Sequence, residues 1–119
     1  MSLYESGEMY LETILVLLNE KPQVRSIDVA EHMNFSKPSV SRAMGKLKED
    51  KLISIDKDGY ITLTKKGQEV ASKVYDRHNL LMGLLLQVGV PADIAEEDAC
   101  RMEHVVSDVT IETLRKYLK

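Results

Sequence analysis

Ser26-Ile27-Asp28-Val29-Ala30-Glu31-His32-Met33, Asn34-Phe35-Ser36 and Lys37-Pro38-Ser39-Val40-Ser41-Arg42-Ala43-Met44-Gly45-Lys46-Leu47 read as a short helix, a three-residue turn and a second helix. Ser26 is placed to cap the first helix, whose Ile27, Ala30 and Met33 recur at helical spacing. Ser36 as N-cap with Pro38 in the first turn is a strong start signal for the second. One face of that second helix carries Val40, Ala43, Met44 and Leu47, and the other presents Ser39, Ser41, Arg42 and Lys46. An apolar-backed helix with a polar outer face, entered through a tight turn, is the helix-turn-helix pattern.

Working outward, Leu52-Ile53-Ser54-Ile55 and Tyr60-Ile61-Thr62-Leu63-Thr64 alternate with period two around Asp56-Lys57-Asp58-Gly59. This is the signature of a β-hairpin with an Asp-Gly turn. A helix-turn-helix followed directly by a hairpin is a winged helix, with Lys57 at the wing tip. Upstream, Tyr10, Leu11, Ile14, Leu17 and Leu18 predict a helix over 6–20, capped by Ser6 and ended by Lys21-Pro22. Downstream, Val70, Val74, His78, Leu81 and Leu85 form one stripe of a long helix over 65–88, which Gly89 stops. Pro91 or Asp93 opens a fifth helix running through Cys100 and His104. Ser107 caps a sixth with Val109, Ile111, Leu114 and Leu118 as its apolar positions.

The expected fold is therefore mainly α: an N-terminal winged helix-turn-helix over residues 1–73 and a helical domain over 74–119. Helices this short cannot bury both faces, so residues 94–118, aided by the fourth helix, are expected to form a homodimer surface.

Composition narrows the function classes. The 44% of apolar residues suffices for a core, but no run approaches the roughly 18 that a membrane span needs. No secretory signal is visible at the N-terminus. The lone cysteine, Cys100, makes no internal disulfide, which fits a reducing cytoplasm. The net charge of −3 hides an uneven split. Residues 37–73 hold nine Lys and Arg against five acids, a net +4, which leaves −7 on the rest of the chain. A basic centre with acidic flanks permits DNA binding through the first and cation binding through the second.

The DNA-contacting candidates are Ser36, Lys37, Pro38, Ser39, Ser41, Arg42 and Lys46 on the recognition helix, with Lys57 on the wing. A recognition helix fits the major groove and meets base edges with its N-terminal side chains. Backbone N–H groups at that end, with Ser36 and Lys37, can hold phosphate. The plainer alternative is a winged helix that binds protein, with these residues merely solvated. His32 reads as a solvated residue.

Cys100, Glu103 and His104 stand at i, i+3 and i+4, so a helix would put a thiol, a carboxylate and an imidazole on one face. All three are competent ligands for a divalent transition metal. The plain alternative is an exposed acid, a half-buried thiol and a capped histidine. His78, on an apolar stripe, needs a partner and is either a hydrogen-bonded core histidine or a ligand. Met9 and Glu12 are further candidates, one turn apart beside Glu8, although Met9 also reads as ordinary core.

Glu8-Met9-Tyr10-Leu11-Glu12-Thr13-Ile14, Ser36–Arg42, Leu63-Thr64 with Gly67, Arg77-His78 and Asp98–Asp108 together resemble the diphtheria toxin repressor and manganese transport regulator family, nearly end to end. The resemblance implies a winged helix followed by a helical dimerisation domain, in the short two-domain form without an SH3-like third domain. It also implies a transcriptional repressor that Fe(II) or Mn(II) activates to bind operators of metal-uptake genes. Carried over by position, Met9, Cys100, Glu103 and His104 resemble the primary site of the iron branch. Glu12 and His78 are similar to second-site ligands of the manganese branch. At the iron branch's ancillary positions this chain keeps His78 but has Met82 and Glu96, so a second site would use Glu12, His78 and Glu96. Thioether and thiolate donors disfavour Mn(II). Fe(II) is the expected metal, Mn(II) the next, and Co(II), Ni(II) or Zn(II) could substitute in vitro.

Two other classes compete. An enzyme with Cys100 as nucleophile and His104 as base lacks a Gly-rich oxyanion loop or a third orienting residue, so no catalytic residue is expected. A metal-independent winged-helix regulator answering to a small organic ligand is the stronger rival.

Overall fold

The structure is a computed structural model that describes residues 5–117. Six helices and one hairpin follow in order: α1 Glu5–Glu20, α2 Ser26–Met33, α3 Lys37–Glu49, β1 Ile53–Ile55, β2 Ile61–Leu63, α4 Lys65–Gln87, α5 Ala92–Met102 and α6 Asp108–Tyr117. They form two compact units divided between Ser72 and Lys73, inside α4.

In the first unit α1 packs against α2, α3 and β2, and α3 against β1. Leu11, Ile14, Val24, Val29 and Val40 are wholly buried in its core, joined by Met44, Leu47, Ile53 and Ile61. The strands pair antiparallel with Ile53 opposite Leu63 and Ile55 opposite Ile61. Asp56 closes the turn, its Oδ1 accepting the N–H groups of Asp58 and Tyr60, each at 2.9 Å. The hairpin is tied to the helices by the Ile61 N–H, which donates to the Val24 carbonyl at 2.7 Å. Gly67 in the first turn of α4 is the closest approach: a Cβ there would lie 1.9 Å from the Leu52 carbonyl oxygen.

The second unit gathers Leu81, Ala99 and Ile111 into a small core, with Leu80, Met82, Leu85, Met102, Val106 and Leu114 packed on it. Gly89, at φ 102°, ends α4 in the left-handed conformation that glycine adopts without steric cost. The Val90 N–H donates back to the Leu85 carbonyl at 2.9 Å. Ser107 caps α6, its Oγ accepting the Thr110 N–H at 3.2 Å.

Three start and stop signals act differently from expectation. Glu5 is already helical, so Ser6 lies inside α1 rather than at its cap; a serine is tolerated there because its side chain is exposed. Arg25, not Ser26, is the N-cap of α2. Its backbone N–H donates to Asp28 Oδ2 at 2.8 Å, so the carboxylate three residues on reaches back to the chain entry. Helix α5 ends at Met102, and His104 lies in the turn beyond it. The Val105 and Val106 N–H groups both bond to the Met102 carbonyl, tightening the chain toward the Ser107 cap. Leu118, expected as an apolar position of the last helix, lies outside the described residues.

Candidate functional site

The first unit carries the candidate DNA surface. Ser36 caps α3 by accepting the Ser39 N–H at 3.3 Å, and its hydroxyl donates to Ser39 Oγ at 2.9 Å. Arg42 Nη2 approaches the same Ser39 oxygen at 3.5 Å. Ser36, Lys37, Pro38, Ser41, Arg42 and Lys46 are exposed and Ser39 is half-buried, whereas Val40, Met44 and Leu47 face the core. The polar and apolar sides of α3 are thus cleanly separated. Lys46 leans toward Asp50 at 3.6 Å and Glu49 at 3.9 Å, exposed pairings that cost little to give up. Lys57 is exposed in the hairpin turn.

One basic residue escaped the sequence reading. Arg25 is exposed at the start of α2, with its guanidinium carbon 4.6 Å from the centre of the Tyr60 ring. The Arg25/Asp28 spacing was the available signal, but the pairing of Arg25 with Tyr60 across 35 residues leaves no local trace.

The second unit carries a dense cluster of donor atoms. Helix α4 supplies His78, α5 supplies Glu96 and Cys100, and the end of α5 supplies Glu103 and His104. His78 Nδ1 lies 3.0 Å from Glu103 Oε2, and its Nε2 lies 3.3 Å from Glu96 Oε1. The second Glu103 oxygen, Oε1, is 3.2 Å from His104 Nε2. Glu103 is 0% exposed and the His104 side chain 3%. The plain alternative for this segment expected an exposed acid, whereas Glu103 is buried. Although α5 formally ends at Met102, the Glu103 N–H still bonds the Ala99 carbonyl at 3.0 Å. Glu103 therefore keeps its helical place, one turn after the half-buried Cys100 thiol.

The chemistry of this donor set fits a divalent cation. A buried carboxylate is costly unless positive charge or several hydrogen bonds answer it. Two imidazoles beside it, with a thiol on the same helix, are nitrogen and sulfur donors suited to Fe(II), Co(II), Ni(II) or Zn(II). His78 is a core histidine with carboxylate partners. Met82 packs on the apolar core. Met9 and Glu12 are half-buried on α1, in the first unit.

Comparison with known proteins gives two family matches. The model described as the iron-dependent repressor N-terminal DNA-binding domain matches residues 2–68, and the iron-dependent repressor metal-binding and dimerisation domain matches residues 64–119. The chain belongs to the iron-dependent repressor family. A diphtheria toxin repressor of Corynebacterium jeikeium is 35% identical over 107 residues, covering 89% of this chain and 45% of the relative. The transcriptional regulator MntR of Escherichia coli is 32% identical over 108 residues, covering 91% of this chain and 70% of the relative. Among solved structures, the manganese regulator SloR superposes with a TM-score of 0.84 at 37% identity, over 99% of this chain and 54% of that one. This chain spans about half the length of several of these iron-dependent repressor relatives, 45% of the C. jeikeium protein and 51% of Mycobacterium tuberculosis IdeR. The family is one of transcriptional regulators, not enzymes. No helix among the described residues is long and apolar enough to cross a membrane.

Proposed function

We propose that this chain is a metal-activated transcriptional repressor that binds operator DNA of metal-uptake genes as a homodimer in the cytoplasm. The observation that carries the reading is the buried Glu103 carboxylate held between His78 and His104 in the second unit. The exposed basic face of α3 supplies the DNA side, and the DNA-binding unit is taken as residues 1–73, the metal-binding and dimerisation unit as 74–119.

Cys100, Glu103 and His104 are the proposed primary ligands, with His78 and Glu96 beside them. Met9 and Glu12 enter the ligand set from the sequence pattern. When bound, the cation supplies the positive charge that the buried carboxylate requires. Glu103 would offer it a carboxylate oxygen, and His78 and His104 a ring nitrogen each. Cys100 adds a soft donor that favours Fe(II) over Mn(II). The exposed Leu86, Val88 and Ile94, at the end of α4 and the start of α5, support an apolar dimer surface. Metal then acts by favouring the dimer arrangement whose recognition helices match successive DNA turns, through its differential affinity for the two states.

The test is operator-fragment binding by the purified protein in EDTA, then with Fe(II), Mn(II), Co(II) or Zn(II) added under anaerobic conditions. Binding restored by metal is the expected result, with Fe(II) a stronger activator than Mn(II). Equal binding with and without chelator would instead favour a regulator that answers to another ligand. Cys100→Ala is expected to abolish metal-dependent binding while leaving the fold intact by circular dichroism; unchanged activation would remove Cys100 from the ligand set.

A further inference from the structure

Phe35, the single phenylalanine of the chain, stands immediately before the Ser36 cap of α3 and is 45% exposed. Its backbone is fixed. Asn34 adopts the left-handed conformation at φ 59°, and the Asn34 and Phe35 N–H groups both donate to the Ala30 carbonyl, Phe35 at 3.1 Å. The ring is anchored on one side as well: it meets the buried Tyr10 ring edge-on, with centroids 6.1 Å apart and planes at 73°. An apolar staple at the entry to α3 would explain an aromatic side chain turned inward. It does not account for the 45% of the residue that stays in water.

We propose that the exposed side of Phe35 is a base-reading surface that takes the 5-methyl group of a thymine in the major groove. The inference rests on the DNA-binding reading of α3. Residues at the N-terminal end of a recognition helix are those that meet base edges. The thymine methyl is the one apolar group that the major-groove edges display, and a phenyl ring has no hydrogen-bonding capacity with which to read anything else. Around it, Ser36, Lys37, Ser39 and Arg42 offer polar and charged groups suited to phosphates and base acceptors. Phe35 would therefore add sequence preference without adding to the salt-dependent affinity. Its fixed backbone and Tyr10 anchor mean that little side-chain freedom is lost on contact.

The experiment uses the full chain with Co(II), which suits the same nitrogen and sulfur donors as Fe(II) and permits work in air. Duplexes are first selected from a random-sequence library, and each thymine of the best duplex is then replaced by deoxyuridine, which removes only the methyl. Binding of wild type, Phe35→Ala and Phe35→Leu is compared by fluorescence anisotropy. At one thymine per half-site, deoxyuridine is expected to weaken wild type about fourfold, the effect of exposing one methyl-sized group. The same replacement should leave Phe35→Ala unaffected and Phe35→Leu intermediate, with the salt slope equal in all three. Equal deoxyuridine effects in wild type and Phe35→Ala would overturn the assignment, because another group, such as Pro38, would then be reading the methyl. If Phe35→Ala fails to fold by circular dichroism, wild type and Phe35→Leu decide. No methyl-sensitive thymine in wild type, or equal sensitivity in both, overturns the proposal. If wild type enriches no duplex at all, the DNA-binding reading falls and this inference with it.

Discussion

Gly67 and Asp28 each hold a junction of the first unit through one atom-level requirement. With the Leu52 carbonyl 1.9 Å from where a Cβ would stand, Gly67→Ala must push backbone against backbone, with no flexible side chain to yield. Overpacking of this kind costs roughly 1–3 kcal/mol, so the variant should lose that much stability in urea unfolding followed by circular dichroism. Asp28 acts through charge. The Lys21 ammonium donates to its Oδ1 at 2.7 Å and the Arg25 N–H to its Oδ2, and these hold its carboxyl below the ordinary value of 3.8. A pKa that is lower folded than unfolded contributes stability above the unfolded value, and that contribution is lost as pH falls through the folded one. Thermal melts of wild type should therefore decline on the acid side of pH 4, approximately, where Asp28→Asn should show a shallower dependence. Identical acid limbs would mean that exposure to solvent screens the pair completely.

Helix α6 tests whether charge or apolar burial attaches an element of the second unit. Arg115 reaches Asp76 of α4 at 2.6 Å, and this ion pair raises the guanidinium pKa. Lys73 pairs with Asp108 at 3.3 Å, and the buried Arg77 lies 3.9 Å from the same carboxylate. The Arg115 and Lys73 pairs are exposed at both ends, where solvent screening leaves such pairs little net effect on stability. Ile111 is only 3% exposed, and truncating a buried isoleucine costs about 2–5 kcal/mol. Ile111→Ala should therefore lower the thermal midpoint several times more than Asp76→Ala; a larger effect of Asp76→Ala would reverse that order. The same helix shows what sequence makes legible. The Ser36 and Ser107 caps, the Gly89 stop and the apolar periodicities are local, and all are readable because cap chemistry acts within four residues. The partners of Arg115 and Lys73 are 39 and 35 residues away and leave no local pattern. In the site, the Cys100/Glu103/His104 spacing was readable, but not the burial of Glu103 or the clasp of its carboxylate by His78, which depend on α4 folding back. Ser6 misled because serine is acceptable both as a cap and within an exposed first turn.

At the scale of the whole molecule, a net charge of −3 has to coexist with the proposed affinity for a polyanion. The basic residues of the first unit achieve this if they are positioned along phosphates, because each neutralised phosphate releases condensed counterions whatever the charge elsewhere. The quantity that reports this neutralisation is the salt dependence of binding, not affinity at one salt concentration. Lys57 is exposed in the hairpin turn between Asp56 and Asp58, so its own field is partly cancelled and only a close phosphate would engage it. If the wing reaches the backbone, Lys57→Ala should weaken binding to specific and random duplexes by the same factor. Its plot of log binding constant against log salt should also flatten by about 0.9 for each phosphate that lysine no longer neutralises, once in each half-site of a dimer. Anisotropy titrations of metal-loaded protein at four or five salt concentrations measure this directly. An unchanged slope would take the wing off the DNA and leave phosphate neutralisation to Lys37, Arg42 and Arg25, whose own alanine variants would then carry the missing slope.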